Sequence, residues 1–207
     1  MPEYVLINRK GSGGLAVEAA LAMHGAPFRV EALDLPVSTP LPESFRATNP
    51  WRQIPVLDLP DGTRMTESGA MLVHLAETFP DAGVAPRPGT VEWTQFLRWV
   101  FFLATSVYTL ILQRTYPDRM ISDESQHDAV RLAANRRMRM AFEMLERELA
   151  RDGHLVGGRF STADVYMAMM YGWFDRERTL PRCTALIERV RDDAAAGPVW
   201  RTHLGDK

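Results

Sequence analysis

The chain has 207 residues, 46% of them hydrophobic and 24% charged, with one cysteine and with 24 Lys+Arg against 26 Asp+Glu, a formal net charge of -2. That length and apolar content suit one large domain or two small ones without covalent staples, and the balanced charge argues against a nucleic-acid scaffold or a binder of anionic membranes. The lone Cys183 allows no intrachain disulfide and no Cys-rich metal site, which fits a reducing compartment.

In chain order, MPEYVLINRK has no apolar core between a basic head and a small-residue cleavage site, so it does not read as a signal peptide, and the expected location is the cytoplasm. Residues 4–7 form a short apolar run of the buried-strand kind, broken by GSGG at 11–14. An Ala/Leu/Met-rich helix over 15–24 follows, stopped by Gly25 and Pro27. Residues 28–35 read as a second strand closed by Pro36, and 36–50 as loop with one helical turn at 43–47. A third strand over 54–59, the Asp61-Gly62 hairpin turn and a fourth strand over 64–66 lead to Ser68, the expected N-cap of a helix over 69–79. This β-α-β-(α)-β-β-α order joins a parallel pair, linked by a crossover helix, to an antiparallel hairpin, which is the thioredoxin-like arrangement.

Strand signals then disappear. DAGVAPRPGT at 81–90 is dense in Gly and Pro, so the expected division is a thioredoxin-like domain at 1–80, a linker at 81–90 and an all-helical domain at 91–207. The most apolar stretch, 99–112, falls short of the roughly 20 residues of a membrane span and reads as the core of a helix over 91–114. A helix over 125–151 carries Val130, Ala134, Met138, Ala141, Leu145 and Leu149 on one face and implies antiparallel packing of the two. Ser161-Thr162-Ala163-Asp164 is a capping box, with Phe160 and Val165 as its hydrophobic staple, and a last helix is expected over 182–195.

The most informative segment is Asn49-Pro50-Trp51-Arg52-Gln53-Ile54-Pro55-Val56-Leu57, followed by Thr66-Glu67-Ser68-Gly69-Ala70. A proline at the head of an inner strand cannot donate to the ladder and fits only at a strand start or with a special geometry such as a cis bond. That geometry turns the backbone N–H and C=O of Ile54 outward, where an extended peptide could pair with them. Glu67-Ser68 at a helix N-terminus offers free N–H groups and the positive dipole end to a carboxylate, and the Glu67 side chain offers a partner to an ammonium. The pair suits an amino-acid head group joined to a short peptide.

These residues resemble the glutathione S-transferase family. NPWRQIPVL is similar to its N-P-x-x-x-(V/I)-P-x-L run, TESGAML to its E-S-x-A-I-x helix start, and GRFSTADVYMA to its G-x-x-x-S-x-A-D-x capping segment, in matching order and spacing over nearly the whole chain. The resemblance implies the two-domain fold of that family, glutathione as co-substrate and a homodimer. It also implies that Gln53 and Ile54 hold the glutathione backbone beside a cis Pro55, and that Glu67 and Ser68 hold the γ-glutamyl end. The activity it implies is activation of the glutathione thiol for attack on a small apolar electrophile, a detoxification chemistry. The same activated thiol also serves glutathione-dependent isomerases, lyases and peroxidases, and some relatives are non-catalytic binding or scaffold proteins.

A thiolate needs a donor, which family members supply from the end of the first strand or the start of the first helix as Tyr, Ser or Cys. The window Asn8-Arg9-Lys10-Gly11-Ser12-Gly13-Gly14 has one hydroxyl, Ser12, which is the expected catalytic residue. The alternatives are the backbone N–H groups of Gly13 and Gly14 or the Asn8 side chain, with Ser12 as a turn residue. Phe102, Tyr108, Tyr116 and Trp173 are the candidate walls of the electrophile pocket. The five histidines show no ligand spacing, so no metal is expected, and 11–14 is neither G-x-G-x-x-G nor a Walker loop, so no nucleotide is expected.

Overall fold

The computed structural model describes residues 3–205, so the outer limits 1 and 207 of the two expected domains lie outside the described residues. The N-terminal part is thioredoxin-like, a mixed four-stranded sheet in the order β2-β1-β3-β4. Strand β1 (Tyr4–Asn8) pairs in parallel with β2 (Phe28–Ala32) through the crossover helix α1 (Gly14–Met23). On its other side β1 runs antiparallel to β3 (Val56–Asp58), which turns back into β4 (Arg64–Met65) ahead of α2 (Ser68–Thr78).

The strands are shorter than the sequence suggests. Edge strand β2 stops at Ala32 because its neighbour β1 ends opposite it, at Asn8. Strand β3 starts at Val56, since Pro55 has no N–H to extend the ladder. Ser68 is the first helical residue of α2 rather than its N-cap, a position held by Glu67.

The helical part begins with α3 (Val91–Phe101), capped by the Thr90 hydroxyl, which accepts the Trp93 N–H at 3.1 Å. It passes through wider π-type turns at Phe102–Val107 into α4 (Tyr108–Thr115), so the expected single helix over 91–114 is one element with a locally widened middle. By length and composition alone Val91–Thr115 could cross a membrane, but its stripe of Trp93, Phe96, Trp99, Val100, Leu103 and Val107 belongs to the core shared with the sheet. In α5 (His127–Asp152), Ala134, Met138, Leu145 and Leu149 are buried on the predicted face. The capping box starts α6 (Thr162–Phe174), the most deeply buried helix, and α7 (Pro181–Asp192) and α8 (Ala196–Leu204) follow.

The expected last helix over 182–195 ends at Asp192 as α7, and the additional helix α8 beyond it is a correction. Ala194-Ala195-Ala196-Gly197-Pro198 reads as a helix end, yet Gly197 and Pro198 occupy the first turn of α8, where a missing N–H costs little. The Asp193 carboxylate makes the break by accepting the N–H groups of Ala195 and Ala196, both at 3.0 Å.

Helix α1 is apolar nearly all round because α2, α6 and α8 pack on it as well as the sheet. At its C-cap His24 is 6% exposed, against Phe79, with neither ring nitrogen hydrogen-bonded among the described residues, and burial drives its pKa down to about 4. The folded state therefore holds His24 neutral while the unfolded chain protonates near pH 6.5, so this contribution to stability is complete above that pH and lost as pH falls toward 4. The loss is on the order of 3 kcal/mol. Urea unfolding at pH 7 and pH 4.5 is expected to show a smaller pH difference in His24→Leu than in wild type.

Candidate functional site

Strand β1 delivers Asn8 to the mouth of α1, and the turn after it is held from below by a chain of hydrogen bonds whose directions are set by its two backbone ends. Gly11 N–H donates to His203 Nδ1 at 3.2 Å, so His203 carries its proton on Nε2 and donates to Glu18 Oε2 at 2.9 Å. Glu18 also accepts from Asn8 Nδ2 at 3.5 Å, which leaves Asn8 Oδ1 to accept the Ser12 hydroxyl at 2.7 Å. Ser12 Oγ in turn accepts the Gly14 N–H at 3.3 Å. Asn8, Ser12 and His203 are all buried. A side chain at Gly14 would collide with the Asn8 amide, its Cβ falling 2.0 Å from Oδ1, so only glycine lets this chain of bonds close.

The Ser12 hydroxyl thus spends its only proton on Asn8. The expected catalytic residue is therefore engaged with Asn8 while still lining the cleft. The hydroxyl that does stand over the turn is that of Tyr108, from the first turn of α4. It lies so close above Gly13 that a Cβ built there would be 2.3 Å from it. Among the described residues this hydroxyl has no hydrogen-bond partner. The ring is fixed edge-on against Trp173, with centroids 6.0 Å apart at 88°, and lies near Tyr166. Burial pushes the Tyr108 phenol up to about 12, with Tyr116 and Glu67 adding to the effect and Arg9 opposing it, so at neutral pH it remains a donor.

Opposite this turn, Asn49 ties down the loop that enters β3, its Nδ2 donating to the Gln53 carbonyl at 2.8 Å and its Oδ1 accepting the Trp51 N–H at 2.9 Å. The Ile54–Pro55 bond is cis. Among the described residues the N–H and C=O of Ile54 have no partner, as an edge awaiting an extended peptide requires. At the start of α2, Glu67 sits at φ 67° and ψ 103°, a conformation that costs a non-glycine residue about 1–3 kcal/mol and marks functional turns. Ser68 Oγ is 2.8 Å from the buried Tyr166 hydroxyl, whose pKa burial raises.

These pieces surround a cleft of about 1720 Å³ between the sheet and the helical part. Ser12, Gln53 and Ile54 line one side, and Tyr108, Tyr116 and Trp173 the other. Pro55 is buried beneath it, and Glu67 and Ser68 stand at the α2 N-terminus outside the lining. Phe102 does not reach the cleft but packs edge-on against Trp99, with centroids 5.9 Å apart, because the π turns rotate it off the Tyr108 face. The sequence offered no sign of His203, which meets Glu18 across 185 positions, or of the contact between Tyr108 and Gly13.

A thioredoxin-like sheet with an open cis-proline edge, joined to a helical domain across a deep cleft, defines a glutathione-transferase type of protein. Residues 15–78 match the family profile "Glutathione S-transferase, N-terminal domain", and residues 123–205 match "Glutathione S-transferase, C-terminal domain". The chain belongs to the glutathione S-transferase family. It is 27% identical over 171 residues to the glutathione S-transferase GstA of Escherichia coli O157:H7, covering 81% of each chain. The beta-class glutathione S-transferase of Sphingomonas chungbukensis is 28% identical, with a TM-score of 0.81, over 97% of this chain and 99% of that one. A sphingomonad glutathione S-transferase complexed with glutathione is 26% identical, with a TM-score of 0.81, over 96% of this chain and 98% of that one.

Proposed function

We propose that the cleft binds glutathione and ionises its thiol for attack on a small electrophile, in a cytoplasmic homodimer. The observation that carries this reading is the unpartnered Tyr108 hydroxyl held over the α1 N-terminus, across the cleft from the open backbone edge at Ile54. In this reading Gln53 and Ile54 take the cysteinyl backbone beside Pro55. Glu67 takes the ammonium of the γ-glutamyl end and Ser68 with the α2 N-terminus its carboxylate. The thiolate lies above Gly13, stabilised by the positive end of α1 and by the Tyr108 O–H. Ser12 acts as a positioning residue that keeps the turn closed on Asn8. Exposed Val91 and Phe101 on α3 and Leu132 and Met140 on α5 support a dimer face, checked by the mass measured in sedimentation equilibrium.

Equilibrium binding of glutathione tests the assignment of the γ-glutamyl end. Loss of a charge-assisted bond to the ammonium is expected to weaken binding by about tenfold or more in Glu67→Gln. Unchanged affinity in that variant would remove Glu67 from the site.

A further inference from the structure

The same cleft holds an excess of positive charge that glutathione activation does not need. Arg9, Arg114, Arg119 and Arg176 all line it, and among the described residues none of the four makes an ion pair. Other cleft arginines are neutralised: Arg178 and Arg191 share Glu188, and Arg46 and Arg52 share Glu43. Neutral groups hold three of the four. Arg9 donates to the carbonyls of Pro36, Val37 and Thr39 at 3.1, 2.9 and 2.7 Å, Arg114 to that of Trp173 at 2.8 Å, and the Arg119 guanidinium lies 4.0 Å from the centre of the Tyr116 ring.

Two carboxylates also line the cleft, Asp118 and Asp175. Asp175 is committed elsewhere, its Oδ2 accepting from the Tyr171 hydroxyl at 3.0 Å and from the Thr179 N–H and hydroxyl at 2.9 and 2.6 Å. The cations also oppose one another. Burial and then the charge of Arg176 lower the pKa of Arg114, and Arg119 is among the groups that lower that of Arg9 after burial. In a chain whose net charge is -2 this is a local concentration and not general basicity. Guanidinium groups fixed by neutral partners keep charge, and a planar fork, for an incoming carboxylate.

In the glutathione reading proposed above, the glycyl carboxylate of glutathione would meet Arg9 on the sheet side, whereas Arg114 and Arg176 belong to the helical wall beside Trp173. We propose that the electrophile itself carries a carboxylate, which Arg114 and Arg176 receive while its apolar body lies against Trp173 and Tyr108. This rests on the glutathione reading above and replaces the apolar electrophile with an anionic one. For an aryl chloride the step is direct: the thiolate sulfur bonds to the ring carbon, chloride leaves with the bonding pair, and the thiol proton has already passed to solvent.

The test uses the two conjugates that glutathione forms with 4-chloro-3-nitrobenzoate and 4-chloro-3-nitrobenzamide, with glutathione alone as reference, titrated calorimetrically. The carboxylate conjugate is expected to bind about tenfold tighter than the carboxamide. That preference is expected to vanish in Arg114→Met and in Arg176→Met while affinity for glutathione alone stays the same. Turnover of the two chlorides, each divided by its uncatalysed rate, is expected to show the same preference. Equal binding of the two conjugates by wild type, with glutathione bound normally, overturns the anionic electrophile alone. Arginine variants that weaken glutathione itself in the same proportion reassign the cluster to the glycyl carboxylate and also overturn it. Failure to bind glutathione overturns the underlying reading.

Discussion

Replacing Tyr108 with Phe is expected to raise the pKa of the bound glutathione thiol by about one unit or more, and to lower kcat/KM about tenfold at a pH below that pKa. The sign follows from which form the phenol contacts: an O–H donated to sulfur favours the anion, so its loss makes the proton harder to remove. The magnitude follows from a hydrogen bond to a charged group being worth about 1.5–3 kcal/mol, against 1.36 kcal/mol for each pKa unit. The hydroxyl is already positioned over Gly13 and unpartnered, and its own pKa of about 12 keeps it protonated throughout the working range. Ser12→Ala is expected to have the smaller effect on thiol pKa, because that hydroxyl donates to Asn8 at 2.7 Å. Its cost appears instead as a looser turn, about 1 kcal/mol of stability. The two variants, titrated side by side, decide between the hydroxyl that sequence points to and the one that geometry points to.

Asp164→Ala is expected to be the most destabilising single change considered for this chain, by about 3–5 kcal/mol. The Asp164 carboxylate is fully buried and accepts the Leu155 N–H at 2.9 Å, the Ser161 N–H at 2.8 Å and the Ser161 hydroxyl at 2.9 Å. Alanine strands two buried backbone donors at once, each costing about 1–3 kcal/mol, and releases the start of α6, around which the helical domain packs. A chain of this length loses about 2–4 °C per kcal/mol, so the melting temperature is expected to fall by about 10 °C. Asp164 also titrates in the direction opposite to His24. Burial raises it to about 6, partly offset by its three hydrogen bonds, so its contribution is complete below about pH 4 and lost as pH rises through 6. Thermal unfolding of Asp164→Ala across that range checks both the size of the loss and its pH dependence.

The capping box could be read from four adjacent residues because its chemistry is local: Ser161 and Asp164 satisfy each other's backbone wherever the chain goes next. For the same reason the cis-proline edge at Ile54–Pro55 could be anticipated, as proline's missing N–H and the run around it leave few conformations. Strand ends were less legible. Whether β2 continues past Ala32 depends on a partner strand that the sequence does not announce. Helix α8 was missed because Gly197-Pro198 looks like a stop until the Asp193 cap turns the same dipeptide into a first turn.

Proximity along the chain favours Ser12, near the end of β1, as the hydroxyl donor to the thiolate. The contact that favours Tyr108 instead brings α4 over α1 and becomes visible only once the two domains are packed. Phe102 and Tyr108 looked equivalent in sequence, and the π turns between α3 and α4 send one to Trp99 and the other to the cleft. Nothing in the sequence groups the arginines at 114, 119 and 176, which the fold brings to one cleft where, among the described residues, none of them makes an ion pair.

The central claim is that this cleft makes the glutathione thiol acidic. The direct measurement is the ultraviolet absorbance of the thiolate, recorded against pH with glutathione held by an excess of wild-type protein. The bound thiol is expected to have its pKa drawn from about 8.5 or above toward neutrality. A thiol that titrates when bound as it does free in solution would contradict it, and would leave the protein a glutathione binder without an activating site.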